Sequence, residues 1–181
     1  MTGQRVIVVD GYNVIRNTPG LAAAERMSLA AGRDALVSRF QQKYRHTPHR
    51  VIIVFDGNDT ARHTHPIRGL FQGQVIYSAQ SETADAVIAE IADQEAEAGA
   101  DLTVISDDLE VRLNATNTGS HSASVTELAQ HLNQPDKYRV RRYRHQQYMR
   151  SQWEHEGEDN DRSGNPRRPP RQRRRPDRRP F

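Results

Sequence analysis

Four short and nearly continuous runs of apolar residues constrain this chain more than any other feature of its sequence. They are Val6 to Val9, Val51 to Phe55, Gln74 to Tyr77 and Leu102 to Ile105. A strand that is apolar on both sides must be covered on both sides, as in a parallel sheet with helices on its two faces. We therefore predict an α/β fold with a small central parallel sheet.

Helical patterns occupy the segments between and after these runs. Apolar residues recur at helical spacing from Leu29 to Tyr44 and from Thr83 to Ala98, and Gly99 is placed to cap the second of these helices. A third helix is predicted to begin near Asp108. Ser124 has the spacing of a capping box and predicts a fourth. Alternating strands and helices agree with crossover connections in a parallel sheet.

The distribution of charge divides the chain in two. From Lys137 to the C-terminus 15 Lys and Arg stand against 6 Asp and Glu, a balance of +9, whereas the first 136 residues have 11 against 17, a balance of −6. We predict a folded domain over residues 1–135, and a basic aromatic segment over 136–153 that can form a helix. The Arg/Pro-rich tail, 154–181, is predicted to be disordered because it has almost no apolar residues to bury.

The composition also excludes several classes of protein. The chain has no cysteine, so a disulfide, a thiolate zinc site and a cysteine nucleophile are excluded, and any metal must use oxygen or imidazole ligands. No apolar run reaches the eighteen or so residues that a membrane helix requires, and the N-terminus does not resemble a leader peptide. We expect a cytoplasmic protein without a membrane partner.

Acidic residues occur where the predicted strands end. Asp10, Asp56 and Asp107 directly follow or closely follow strands, and Asp85 lies at the start of the helix after the third strand. The carboxyl ends of parallel strands meet at one edge of a sheet, so these side chains are expected to converge. Simpler interpretations exist: Asp56 suits a turn, and Asp85 suits the charged first turn of a helix. Asp108, the neighbour of Asp107, is assigned to the first turn of its helix and not to the site.

Four carboxylates in one cleft repel one another, and burying them without compensation would be very unfavourable. A divalent cation removes this conflict, and carboxylate oxygens suit Mg²⁺ or Mn²⁺. Such an ion activates water and stabilises charge on a phosphodiester that is being cut. The pattern therefore predicts a metal-dependent nuclease.

Five sequence blocks resemble a known family. They are Val8 to Ile15, Val54 to Gly57, Ser81 to Asp85, Val104 to Asp107 and Ser124 to Leu128. In this order they are similar to the YacP-like NYN domain family, a branch of the PIN-type nucleases. The resemblance covers roughly residues 5 to 132 and leaves the chain beyond Leu132 outside.

The resemblance implies a PIN-like three-layer α/β/α sandwich followed by the basic tail, and divalent-metal-dependent endoribonuclease activity. It implies catalytic roles for Asp10, Asn13, Asp85 and Asp107, with Asp56 joining the three aspartates as a metal ligand.

Smaller features support or weaken this assignment. Gly11 is expected to allow a tight turn, and the Asn13 amide to bridge a metal-bound water or hold the Asp10 carboxylate. Ser106 matches a small hydroxyl that precedes the family's last acid. The family often has a second acid after Asp85, where this chain has Ala86. That difference weakens the expectation of a second metal ion, for which Glu82 is the available substitute.

Basic residues predict the partner. Arg62 and Arg68 lie with His63 and His65 in the segment after the second strand, at the catalytic edge, where cations would contact RNA phosphates. The two histidines are equally well explained as exposed loop residues. In the basic segment, further arginines alternate with tyrosines that can stack on bases; they are Arg139, Arg141, Arg142 and Arg144. The expected partner is RNA, ribosomal and messenger RNA included.

Two other functions fit parts of the sequence. One is a catalytically silent RNA-binding or ribosome-associated module, in which the acids are structural and the basic tail carries the function. The other is a phosphatase of the haloacid-dehalogenase type, whose nucleophile is an aspartate at a strand end. That class requires a second acid two residues later, where this chain has Tyr12. We therefore discount the phosphatase.

Overall fold

A computed structural model describes residues 4–134 of the chain. The elements follow in the order β1 (Arg5–Asp10), α1 (Gly11–Arg16), α2 (Pro19–Met27), α3 (Leu29–Tyr44), β2 (Arg50–Phe55), β3 (His63–Pro66), β4 (Gln74–Tyr77), α4 (Ala84–Glu97), β5 (Asp101–Ile105), α5 (Leu109–Asn117), β6 (His121–Ala123) and α6 (Val125–Asn133). The predicted basic segment, with Arg139, Arg141, Arg142 and Arg144, and the predicted disordered tail lie outside the described residues.

The strands form one sheet in the order β3-β4-β2-β1-β5-β6. All neighbouring pairs are parallel except β3 with β4, which is antiparallel. β1 lies in the middle, where Val8 is opposite Ile52 of β2 and Val104 of β5. The four predicted strands are found to within one residue at each end, and the predicted α/β class is confirmed.

Helices cover both faces of the sheet, which confirms the predicted three-layer sandwich. Successive strand residues point to opposite faces. Val9 belongs to a core cluster with Phe40 of α3, whereas its neighbour Val8 belongs to a separate cluster with Ile88 of α4. Both faces of β1 are thus buried, which explains why its sequence is apolar without alternation.

The predicted helix boundaries agree well with the structure. α3 begins and ends at the predicted residues, and Gly99 follows α4 with a φ of +70°, the left-handed conformation of a glycine cap. At α6, the Ser124 hydroxyl accepts from the Glu127 N–H while the Glu127 carboxylate accepts from the Ser124 N–H, so the predicted capping box is present. Within residues 4–134 no helix is long and apolar enough to cross a bilayer.

Four elements were missing from the sequence prediction. β3 has the sequence His-Thr-His-Pro with all four residues exposed, and β6 has only three residues, so neither has an apolar run. α1 has six residues and begins directly after β1, and α2 follows it after two residues. The segment between Gly57 and Gly73, interpreted from sequence as a loop, therefore contains an edge strand.

Candidate active site

A cavity of about 310 Å³ opens at the carboxyl edge of the sheet, beside the ends of β1 and β2 and the start of α4. It is lined by Asp10, Tyr12, Asn13, Arg16, Asn17, Asp56, Thr83, Ala84, Asp85 and Asp108. Three of the four predicted metal ligands, Asp10, Asp56 and Asp85, therefore share one cavity. The fourth, Asp107, does not line it, but its neighbour Asp108 does.

Asp10 is the most buried acid of the cavity, with 8% of its surface exposed. Its Oδ1 accepts from the Asn13 N–H at 3.1 Å, which caps α1, and its Oδ2 accepts from the Ser106 hydroxyl at 3.3 Å. Burial raises the pKa of Asp10 to about 6, opposed by the Asn13 hydrogen bond and reinforced by the charge of Asp85. The two hydrogen bonds therefore fix the orientation of a carboxylate whose burial disfavours its charged form.

Asp85 is placed in the first turn of α4 and is exposed to solvent. Partial desolvation raises its pKa, and the negative charges of Asp108, Asp56 and Glu110 raise it further. The acids therefore influence one another electrostatically, as expected if they face the same space.

Asp56 connects two elements of the site. Its Oδ1 accepts from the N–H of Ala84, the first residue of α4, at 2.8 Å. The carboxylate thus satisfies one of the free N–H groups at the helix start. Asp56 has this structural contact in addition to its position in the cavity wall.

Asn13 and Asp107 are joined differently from the sequence prediction. The Asn13 side-chain oxygen accepts from the Asp107 N–H at 3.0 Å, and it is the backbone N–H of Asn13 that holds Asp10. The Asp107 Oδ1 accepts from the N–H of Val125 at the start of α6, at 2.8 Å. Asn13 thus links the first and fourth predicted strand ends, while the Asp107 carboxylate contacts α6.

Asp108 caps α5, because its Oδ1 accepts from the N–H groups of Glu110 and Val111. Its assignment to the helix start is confirmed, but its place in the cavity wall was not predicted. Ser106 is fully buried, and its hydroxyl accepts from the Asp108 N–H at 3.1 Å while contacting Asp10. This one hydroxyl therefore positions two of the acids.

We predict that Ser106→Ala lowers the free energy of unfolding by about 1 to 3 kcal/mol, because the Asp108 N–H loses its acceptor and Asp10 a donor. Urea titration measures the change. Ser38→Ala, at an exposed position of α3, is the control and should shift stability by less than about 0.5 kcal/mol. Equal stability of the two variants would contradict the positioning role of Ser106.

Glu82 and Arg62 are already paired with other residues. Arg62 donates two hydrogen bonds of 2.6 Å to the Glu82 carboxylate and a third to Glu90. These contacts, with the Ala79 N–H, hold the pKa of Glu82 at about 2. Glu82 is absent from the cavity wall. The proposed metal-supporting role of Glu82 and the RNA-binding role of Arg62 stay predictions, and so does that of the exposed Arg68.

The donor set can be compared with what divalent ions require. Within the described residues no group of three His, Asp or Glu side chains is arranged to hold an ion by itself. Mg²⁺ is commonly held through one or two carboxylates, with waters and substrate phosphates completing its shell. A cation would offset the repulsion that Asp85 and Asp56 exert on the buried Asp10 carboxylate. The residues therefore fit Mg²⁺ or Mn²⁺ better than an ion that needs a complete protein cage.

Sequence reasoning missed five uncharged or basic residues of the wall, Tyr12, Arg16, Asn17, Thr83 and Ala84. Three of them belong to α1 or to its C-terminal cap. Residues three and four apart share one face of a helix, so Asn13, Arg16 and Asn17 would have been grouped if α1 had been recognised. The residue after the apolar run, Asp10, was the available signal because aspartate is a good N-cap.

Comparison with known proteins identifies a family for this chain. The model of the YacP-like NYN domain family matches residues 7–163. The match continues past Leu132, so the expectation that the resemblance ends there was wrong. Protein YacP of Bacillus subtilis is 33% identical over 93 residues, which are 48% of this chain and 51% of that protein. The chain thus spans about half the length of this curated relative.

Two solved structures are similar in fold. The crystal structure of Rae1 (YacP) from Bacillus subtilis is 23% identical, with a TM-score of 0.63 and coverage of 89% of this chain and 96% of that chain. A mutant of the same protein is 26% identical, with a TM-score of 0.60 and coverage of 71% and 75%. Both are related PIN-like folds.

Proposed function

Because this chain belongs to the YacP-like NYN domain family, within the PIN-like nuclease superfamily, we propose that it is a divalent-metal-dependent endoribonuclease. Its substrate is RNA, ribosomal or messenger RNA included, and its place of action is the cytoplasm. One observation carries the proposal. Asp10, Asp56 and Asp85 come from separate parts of the sequence and line one cavity at the carboxyl edge of the sheet.

Asp10, Asp56 and Asp85 would hold Mg²⁺ or Mn²⁺, and Asp107 is the fourth proposed ligand. When bound, the ion supplies an activated water and stabilises charge on the phosphodiester. Asp10 is ionised above its pKa of about 6, and its two oxygens are oriented by Asn13 and Ser106. Orientation of a ligand by such partners is a usual property of metal sites.

Asp85 contributes a solvent-exposed carboxylate to the cavity. It is exposed, its pKa is raised, and neighbouring acids make proton uptake more favourable than for an ordinary aspartate. A cation bound beside Asp85 would offset this repulsion and keep the carboxylate ionised, as a metal ligand requires. Asn13 is a positioning residue, since its side chain binds the Asp107 N–H and its backbone N–H binds Asp10.

An acidic cavity does not attract RNA, whereas the sequence from Lys137 onward has a charge balance of +9. We assign general RNA attraction to this basic part of the chain, where Arg139, Arg141, Arg142 and Arg144 alternate with aromatic residues.

The test is cleavage of end-labelled RNA by the full chain in EDTA, Mg²⁺ or Mn²⁺. We expect cleavage only with metal, and we expect Asp85→Asn to reduce the rate by at least about 100-fold. Asp93→Asn removes an equal charge from an exposed position two turns further along α4, and should leave the rate unchanged.

Undiminished cleavage by Asp85→Asn would refute the catalytic assignment. If wild type never cuts RNA with either metal, the alternative of a silent RNA-binding module is favoured. That alternative has its own support in the concentration of positive charge after residue 136, and it predicts that deleting those residues abolishes RNA binding.

A further inference from the structure

Two arginines and two tyrosines form a continuous line of contacts that begins at the acidic cavity. The Arg16 guanidinium carbon lies 5.1 Å from the ring centre of Tyr12. Arg33 Nη1 donates to the Tyr12 hydroxyl at 3.1 Å, and the Arg33 guanidinium carbon lies 5.4 Å from the ring centre of Tyr77. We call Arg16, Tyr12, Arg33 and Tyr77 the arginine–tyrosine strip.

The strip extends along the carboxyl edge of the sheet. Tyr12 and Arg16 line the cavity, and Tyr77 is the last residue of β4, paired in register with Phe55 of β2. Phe55 supports both tyrosines, with ring centres 5.0 Å from Tyr12 and 5.7 Å from Tyr77. The strip is thus fixed to the core at both of its rings and leads away from the acids.

Arg16 differs from the other arginines near the site. It is the only cation among the described residues that line the cavity, and 64% of its side chain is exposed. Its Nε lies 3.6 Å from Oε1 of Glu25, which is a long contact for an ion pair. Arg62, in contrast, makes three short hydrogen bonds to two glutamates. Arg16 therefore keeps donors for a ligand that Arg62 has already used.

The chemistry of the strip fits a phosphodiester strand. A guanidinium binds phosphate through two parallel N–H groups, and stacking on a ring holds it in place before the ligand arrives. Less side-chain freedom is then lost on binding. A cation in an otherwise acidic wall also offsets the repulsion between the carboxylates and an entering phosphate.

We propose that the arginine–tyrosine strip is the path of the RNA strand on one side of the cut, with Arg16 binding the phosphate next to the cavity and Arg33 positioning Tyr12. This assignment rests on the proposed endoribonuclease function. It moves the phosphate contact at the catalytic edge from the segment with Arg62 to α1, while Arg33 of α3 acts through Tyr12.

The experiment compares Arg16→Gln, Arg16→Lys and Arg33→Gln in the full chain on a short labelled single-stranded RNA in Mn²⁺. Arg16→Gln should lower kcat/KM by about 10- to 100-fold, the equivalent of losing a charged hydrogen bond. The slope of log kcat/KM against log salt should fall by about 0.7, the value for one lost phosphate contact. Arg16→Lys should restore the salt slope but only part of the rate.

Arg5→Gln is the matched control. Arg5 is at the opposite edge of the sheet, half-exposed and paired with Asp101, so its loss removes one charge without touching the strip. Arg33→Gln should lower kcat/KM less than Arg16→Gln, and the three Gln variants should unfold at temperatures close to that of wild type.

If Arg16→Gln keeps the rate and salt slope of Arg5→Gln, the strip is not the RNA path. If wild type does not cut RNA, the proposed function fails, and binding of the same RNA in EDTA decides the inference. Weaker binding with a smaller salt slope for Arg16→Gln then supports the strip, and binding equal to Arg5→Gln overturns it.

Discussion

Asp10→Asn is expected to abolish RNA cleavage and at the same time to stabilise the protein in the absence of divalent metal. The carboxylate is buried, and its pKa is raised from 3.8 to about 6, so ionisation destabilises the fold by up to about 3 kcal/mol at neutral pH. Asn is an equally good N-cap and can still hydrogen bond to Ser106. We expect a gain of about 1 to 3 kcal/mol and a rate at least about 100-fold lower.

The stability that Asp10→Asn gains over wild type should depend on pH. Because the folded protein has the higher pKa, it takes up this proton more readily than the unfolded chain, and the destabilisation of wild type is fully present above about pH 6. As pH falls from 6 toward 4, Asp10 becomes protonated in the folded protein, and the advantage of the variant should shrink toward zero. Urea unfolding in EDTA at neutral pH and near pH 4 measures both values.

Asp93→Asn again serves as the control, since Asp93 is exposed on α4, and it should not change stability at either pH. A loss of stability for Asp10→Asn at neutral pH in EDTA would contradict this prediction. It would show that the hydrogen bonds accepted by the carboxylate stabilise the fold by more than burial of its charge destabilises it. Full cleavage activity of the variant would remove Asp10 from the site.

Gly57→Ala is expected to destabilise the protein strongly for the addition of a single methyl group, by about 3 kcal/mol or more. A Cβ at Gly57 would lie 2.2 Å from the backbone oxygen of Ser78, and a backbone atom cannot move away as a side chain can. Relief would require β2 and β4 to separate where the Ser78 N–H donates to the Phe55 oxygen at 2.9 Å. Asp56, the residue before Gly57, would be displaced with β2, so cleavage should fall as well.

Gly20→Ala is the matched control for this change. Gly20 is exposed within α2, and its new Cβ would meet only the end of the flexible Arg39 side chain. The helix gains from losing a glycine, so we expect stabilisation by about 0.5 to 1 kcal/mol. Thermal and urea unfolding of both variants tests the pair, and a similar small effect at both positions would contradict the close packing at Gly57.

Much of the fold was predictable because its information is local. The strand runs around Val8 and Val104 are apolar without alternation, which already implies burial on both faces. The helices at Leu29, Thr83 and Ser124 have caps within a few residues of the apolar pattern that they begin or end. β3 and β6 could not be found in this way, because each is held by pairing with a distant strand and not by its own composition.

The candidate site was predictable in part. Position after a strand grouped Asp10 with Asp56, and position at the start of the following helix added Asp85, since parallel strands bring their carboxyl ends to one edge. The same reasoning placed Asp107 in the site and its neighbour Asp108 outside it, whereas Asp108 is the one of the two that lines the cavity. This difference depends on distant contacts, because the Val125 N–H donates to the Asp107 carboxylate and Asp108 caps α5.

The sequence by itself thus determined the α/β class, the core strands and the edge at which acids gather, because hydrophobic periodicity and strand-end position are local properties. Only the tertiary structure decided the rest. Gly11 is required because the Phe55 ring lies 2.2 Å from where a Cβ would be, and not for the predicted turn. Arg62 is paired because it contacts Glu82 and Glu90, which are distant in sequence. Arg16 instead lies over the ring of Tyr12, a near neighbour in sequence, and keeps donors available. Pairings such as those of Arg62 arise from packing between distant segments, which no local pattern encodes.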